Sequence, residues 1–168
     1  MTLHELNTID QSSRKEALAK CCGAEAWINK MLRIFPVEDL VDLLENAEET
    51  WYQCTEENWK EAFSHHPKIG DLNTFADKFA TTAQWAASEQ SSVGHASIQT
   101  IEALAEGNRL YEERFGYIFI ICATGLTAEE ILGTLQSRLR NSPEAEIKIA
   151  ADEQNKITKL RLEKLVAD

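Results

Sequence analysis

Tyr117-Ile118-Phe119-Ile120-Ile121-Cys122-Ala123 is continuously apolar, rich in β-branched residues, and set between Gly116 and Gly125. It carries no stripe at helical spacing and has the length of a buried strand. A strand needs a partner, and no second segment of matching character occurs in the chain. A sheet is therefore not expected. The run reads as a buried extended segment, or a helix start, packed at the centre of the domain. Irregular backbone is expected near residues 117–125.

Outward from this run the patterns are helical. Ser97 to Phe115 repeats Ile98, Ile101, Leu104, Ala105 and Tyr111 at helical spacing and stops at Gly116. Thr127-Ala128-Glu129-Glu130 has the Thr-x-x-Glu form of a capping box and opens a helix with Ile131, Leu135 and Leu139. Ser142-Pro143 starts a last helix reaching about Leu165. Toward the N-terminus, Ser12 to Cys22 is amphipathic and ends at Gly23. Ala24 to Ile34 places Trp27, Met31 and Ile34 on one face and stops before Pro36. Pro36-Val37-Glu38-Asp39 opens a helix with Leu40, Leu43, Leu44 and Ala47 on one face, and Thr55 caps another containing Trp59, Ala62 and Phe63. The expected fold is all-α: a single-domain helical bundle over residues 1–168 with a short irregular apolar segment near 117–125.

Composition limits the function. The chain has 168 residues, 43% hydrophobic and 27% charged, which suits one globular domain with a sizeable core. A net charge of −11 argues against nucleic acid or an anionic membrane surface as partner. Any anion site must be built locally from particular Lys or Arg side chains. No run approaches the ~18 apolar residues of a membrane helix. Neither a signal peptide nor a C-terminal targeting tripeptide is evident, so the cytoplasm is the expected location. Cys21, Cys22, Cys54 and Cys122 form no Cys-x-x-Cys pair, and packing is the better reading for at least one of the first two. His4, His65, His66 and His95 lack the i,i+4 ligand spacing of zinc helices, so no metal is expected.

Three features carry possible chemistry. Ser64-His65-His66-Pro67-Lys68-Ile69-Gly70-Asp71 places imidazoles in a loop stiffened by proline, which biases His66 away from helix. A rigid loop histidine titrating near neutrality is a candidate acid–base group, although a His-Pro turn is also an ordinary helix stop. In the last helix Ile147, Ala150, Ala151, Ile157 and Leu165 share one face, and Arg161 lies near its middle. A cation directed at a core needs a buried partner or a ligand, and periodicity alone leaves both open. Glu89 closes the mostly apolar stretch Trp85-Ala86-Ala87-Ser88-Glu89-Gln90, at the unfavourable end of a helix dipole, where a glutamate is most often solvated.

In combination, these features resemble the 2-oxo-4-hydroxy-4-carboxy-5-ureidoimidazoline (OHCU) decarboxylases of the urate-to-allantoin pathway. The resemblance runs through Leu6-Asn7, Cys22-Gly23-x-x-x-Trp27, His66-Pro67-Lys68-Ile69-Gly70-Asp71 and Glu89-Gln90. It continues through Phe115 to Ala123, Arg138-Leu139-x-Asn141 and Lys156-Ile157-x-x-Leu160-Arg161-Leu162. Each motif is weak, but their order and spacing are specific. The resemblance implies an all-helical, cofactor-independent carboxy-lyase that often forms homodimers and acts on a small anionic ureidoimidazoline. It implies His66, Glu89 and Arg161 as catalytic positions, with Pro67, Ala86, Gln90, Phe119, Ile120, Ile121, Cys122 and Ala123 against the substrate. Two departures are Ala86, where many members have Ser, and Lys68, where Arg is common. Two other readings remain: a non-catalytic helical interaction module, and a hydrolase or isomerase of a related ureide.

Overall fold

The computed structural model describes residues 1–67 and 97–167. Among these residues there are eight helices and no strand: α1 (Leu3–Thr8), α2 (Gln11–Cys21), α3 (Glu25–Leu32), α4 (Leu40–Tyr52), α5 (Glu56–Ser64), α6 (Ile98–Phe115), α7 (Ala128–Arg138) and α8 (Pro143–Leu165). The all-α expectation holds. Among the described residues no helix is long and apolar enough to cross a membrane. The chain divides into two compact units, one of Met1–His65 with Gln154–Asp168 and one of His66–Glu153.

In the first unit α3 packs against α2, α4 and α5. Its interior includes Leu6, Leu18, Trp27, Met31, Leu43, Trp51 and Phe63, all essentially inaccessible to solvent. The Trp27 indole N–H donates to the Ala47 carbonyl at 3.0 Å, which satisfies its one polar atom inside the core. Arg14 ends the short α1 by donating to the carbonyls of Leu6, Asn7 and Ile9 at 2.8–3.0 Å. Thr55 caps α5 as expected, accepting from the Asn58 N–H at 3.2 Å while Asn58 Oδ1 accepts from the Thr55 N–H at 3.0 Å.

One boundary differs from the expectation. Pro36 to Asp39 do not open α4; Asp39 caps it instead, accepting from the Asp42 N–H at 2.8 Å. Val37 is held elsewhere, because Asn7 donates to its carbonyl and accepts from its N–H, both at 2.9 Å. That two-point bond claims backbone groups a helix would have used. With the start displaced, Leu40 is exposed rather than part of the buried face, whereas Leu43 and Ala47 are buried.

In the second unit α6 packs on α7. Ser97 caps α6, and Gly116 ends it with φ at 83°, a left-handed conformation that glycine adopts without Cβ strain. Ile98 falls in the first turn of α6 and is exposed, so the inward stripe of that helix begins later, at Leu104 and Tyr111. Gly107 also faces inward, and a Cβ there would meet the Leu135 side chain of α7. Thr127 caps α7, and α8 starts at Pro143 as expected.

Candidate active site

The apolar run at 117–123 forms neither helix nor strand, and it is buried at Tyr117, Phe119, Ile120, Ile121 and Ala123. Buried irregular backbone must account for its N–H and C=O groups. Several are used within the second unit. The Ile120 carbonyl accepts from Arg138 Nη1 at 2.7 Å, the Cys122 N–H donates to Glu153 Oε1 at 3.3 Å, and the Ala123 carbonyl accepts from the Leu126 N–H at 3.0 Å. The N–H and C=O of Phe119 and of Ile121, and the N–H groups of Ile120 and Ala123, have no hydrogen-bond partner among the described residues. A buried segment that keeps donors and acceptors in reserve is suited to binding a polar ligand.

Arg138 is the organising side chain of this unit. Its Nε donates to both Glu146 oxygens at 2.7 and 3.1 Å, and its guanidinium carbon lies 4.6 Å from the Phe119 ring centroid. Tyr111 packs edge-on to Phe119 with centroids 5.2 Å apart. Burial pushes the Tyr111 hydroxyl well above its ordinary pKa, so it is a neutral phenol. Arg138 is 6% exposed and Glu146 fully buried. A bare charge at that depth would be costly, and the ion pair with its extra carbonyl bond is what makes it tolerable.

The catalytic candidates are placed as follows. His66 follows α5 in a turn and is half-buried, as is Pro67. His65 ends α5, and its imidazole lies directly over Gly23: a Cβ at Gly23 would overlap the ring, with Cγ at 2.5 Å and His65 Cβ at 3.0 Å. Gly23 is therefore needed for a close approach. Ala86, Glu89 and Gln90 lie outside the described residues, as do Lys68 to Asp71.

Arg161 belongs to the first unit and is half-buried. Its charge acts on the thiols of Cys21 and Cys22, but desolvation dominates there and pushes both thiols up to about 12. They are packing groups, not nucleophiles. On the same helix Gln154, Asn155 and Thr158 are buried, so the inner face of α8 is more polar than its apolar periodicity suggests. Asn155 and Lys159 both donate to Glu48 Oε2 at 2.9 Å, which holds that carboxyl below its ordinary range.

Arg138 stands in a quoted motif, yet its anchoring role, its partner Glu146 and the bond from the Cys122 N–H to Glu153 escape the sequence reading. A signal for Arg138 existed. It follows Ile131 by seven residues and Leu135 by three, on the buried stripe of α7, the same kind of misplaced cation that singled out Arg161. Glu146 precedes buried Ile147, but nothing in its spacing names a partner. Among the described residues there is no cluster of three His, Cys, Asp or Glu able to hold a metal ion.

These observations describe an all-helical protein with a buried irregular segment holding ligand-competent backbone groups. The sequence model of OHCU decarboxylase matches residues 7–163. The uric acid degradation bifunctional protein TTL of Arabidopsis thaliana is 40% identical over 151 residues, which are 88% of this chain and 46% of that protein. The chain thus spans about half the length of that relative. The OHCU decarboxylase of Haloferax volcanii is 26% identical over 163 residues, 96% of this chain and 94% of that one. A crystal structure of OHCU decarboxylase in the presence of (S)-allantoin superposes with a TM-score of 0.77 at 35% identity, covering 92% of this chain and 99% of that chain. The chain belongs to the OHCU decarboxylase family, whose members are carboxy-lyases of urate degradation.

Proposed function

We propose that this protein decarboxylates OHCU to (S)-allantoin without a cofactor, with His66, Glu89 and Arg161 as its catalytic side chains. The single structural observation that supports the reading is the buried 117–123 segment, whose Ile121 N–H and C=O and Ala123 N–H have no partner among the described residues. These groups match a ureido substrate, which offers N–H donors and carbonyl acceptors in turn.

The chemistry follows from the substrate. One ring carbon carries both carboxylate and hydroxyl and adjoins a C=N carbon that bears the ureido group. Breaking the C–CO₂ bond sends its electron pair into the C=N unit, whose nitrogen takes a proton. The electron sink is internal, so the reaction itself requires no pyridoxal, thiamine or metal. The resulting enol loses its hydroxyl proton, and the carbon bearing the ureido group gains one from a single face, which sets the (S) configuration.

In this scheme His66 moves those protons, a contribution of roughly 10²–10⁴ in rate for a positioned acid–base group. Glu89 binds the hydroxyl or ureido donors. Arg161 presents its planar fork to substrate oxygens. An arginine gripping the departing carboxylate would stabilise the ground state more than the transition state, so the carbonyl or the developing charge is the better partner. Ala86 offers no hydroxyl to the substrate, and binding relies more on backbone groups at Phe119 to Ala123, with Pro67 and Gln90 as further contacts.

The test is to add the protein to freshly generated OHCU and record circular dichroism. A fast signal of one allantoin enantiomer is expected. Racemic product forming at the uncatalysed rate would overturn the proposal.

A further inference from the structure

We infer that Arg138 is a positioning residue for substrate binding, setting the direction of the Ile121 amide through the Ile120 carbonyl; this deepens the proposed function and rests on it. A peptide unit is planar and trans, so its C=O and N–H point in opposite directions. Arg138 Nη1 draws the Ile120 carbonyl to 2.7 Å, and this fixes the Ile121 N–H to point away from Arg138. The next peptide is held from its other end: Glu153 Oε1 takes the Cys122 N–H at 3.3 Å, so the Ile121 carbonyl points away from Glu153. Two successive peptide planes are clamped by one cation and one anion. The donor and acceptor left over both belong to Ile121, and neither has a partner among the described residues.

Stability alone is a poor reason for this arrangement. Replacing a buried ion pair with apolar groups is commonly neutral or stabilising. What an apolar pair cannot do is orient a carbonyl. Arg138 binds Glu146 through Nε and Ile120 through Nη1 while its plane lies against Phe119, a set of contacts that needs a flat, forked cation. Lysine offers a single nitrogen and must give up the fork.

Two variants test the inference, with the parent protein's turnover of OHCU measured first. In Arg138→Met/Glu146→Leu the buried charges leave together, and the melting temperature is expected to stay at or above the parent's. The KM for OHCU should rise about tenfold, the worth of a well-aligned hydrogen bond made equally in ground and transition states, with a smaller change in kcat. Arg138→Lys keeps the charge opposite Glu146 and should also raise KM, and it decides the matter if the double variant does not fold. Parental KM in a folded double variant, or in Arg138→Lys, would overturn the positioning role and leave the proposed function standing. An inactive parent would overturn both.

Discussion

Gly23→Ala puts the packing of the histidine loop to a direct test. Gly23 does not occupy a left-handed backbone conformation, so the new methyl carries no backbone strain. Elsewhere such a change stabilises by about 0.4–1 kcal/mol through the unfolded chain. Here the added Cβ would sit 2.5 Å from His65 Cγ and 3.0 Å from His65 Cβ. Ordinary carbon contacts are about 3.5–4.0 Å, so the ring must retreat by roughly 1 Å. Because His65 Cβ is among the atoms struck, a simple rotation of the ring does not clear the clash. Overpacking of this kind costs about 1–3 kcal/mol, which leaves a net loss of roughly 1–2 kcal/mol after the entropic gain. His65→Ala removes the ring atoms, which make the shortest contacts, and leaves only the 3.0 Å contact to Cβ, so the double variant should recover much of the loss, with a coupling near 1 kcal/mol. Urea unfolding of the parent, both single variants and the double variant measures each quantity. A Gly23→Ala protein as stable as the parent, or effects that simply add, would refute the reasoning. Under the proposed function the single variant should also lose turnover, because His65 immediately precedes His66.

His66→Asn should retain its far-UV circular dichroism and lose most activity, while His65→Asn is much milder; equal losses would remove the assignment of His66. Arg161→Met should keep or raise the melting temperature and abolish turnover, whereas Arg161→Lys should weaken substrate binding without unfolding; normal kinetics in Arg161→Met would overturn its role. Cys21 and Cys22, with thiols pushed up to about 12 by burial, should resist a thiol reagent at neutral pH until denaturant is added, and rapid labelling of both in the native protein would contradict their packing. Glu48 has a folded pKa held below its unfolded value by Lys159 and Asn155, so its contribution to stability is present above about pH 4.5 and is lost as pH falls through the folded value. Glu48→Gln should therefore flatten the acid limb of the stability profile, and an unchanged limb would show that the carboxylate contributes nothing.

The helices were legible because their ends are written in short-range chemistry. Thr127 and Thr55 cap the helices expected of them, Ser97 caps a helix expected to include it, and Gly116 stops α6 in a left-handed turn. The 117–123 run was legible as buried irregular backbone from its lack of any period. The start of α4 was not, because Asn7 takes the Val37 backbone across 30 residues, an event that local propensity does not contain. For the same reason Arg138 was visible as a motif member but not as the anchor of Ile120. Its contacts reach eight residues forward to Glu146 and eighteen back to Ile120. Arg161 was conspicuous as a cation on an apolar stripe, and its half-buried position agrees with that pattern. Whether such a cation meets an acid or a ligand is decided by chemistry that spacing does not encode.

The polar inner face of α8 has a consequence for how this protein can be altered. A helix seated only by leucines can turn about its axis and find nearly equivalent packing. Gln154 donates to Thr158 at 2.9 Å in the interior, while Asn155 and Lys159 converge on Glu48. A shift of one residue, about 100° of rotation, would carry Asn155 and Lys159 off Glu48 and turn the Gln154–Thr158 pair, which is internal to the helix, away from its present seat. The helix is keyed, in the sense that a shaft is keyed to a wheel, and the bearing of Arg161 is set by that key. Filling these positions with leucine would give up the bonds to Glu48 and let the arginine wander.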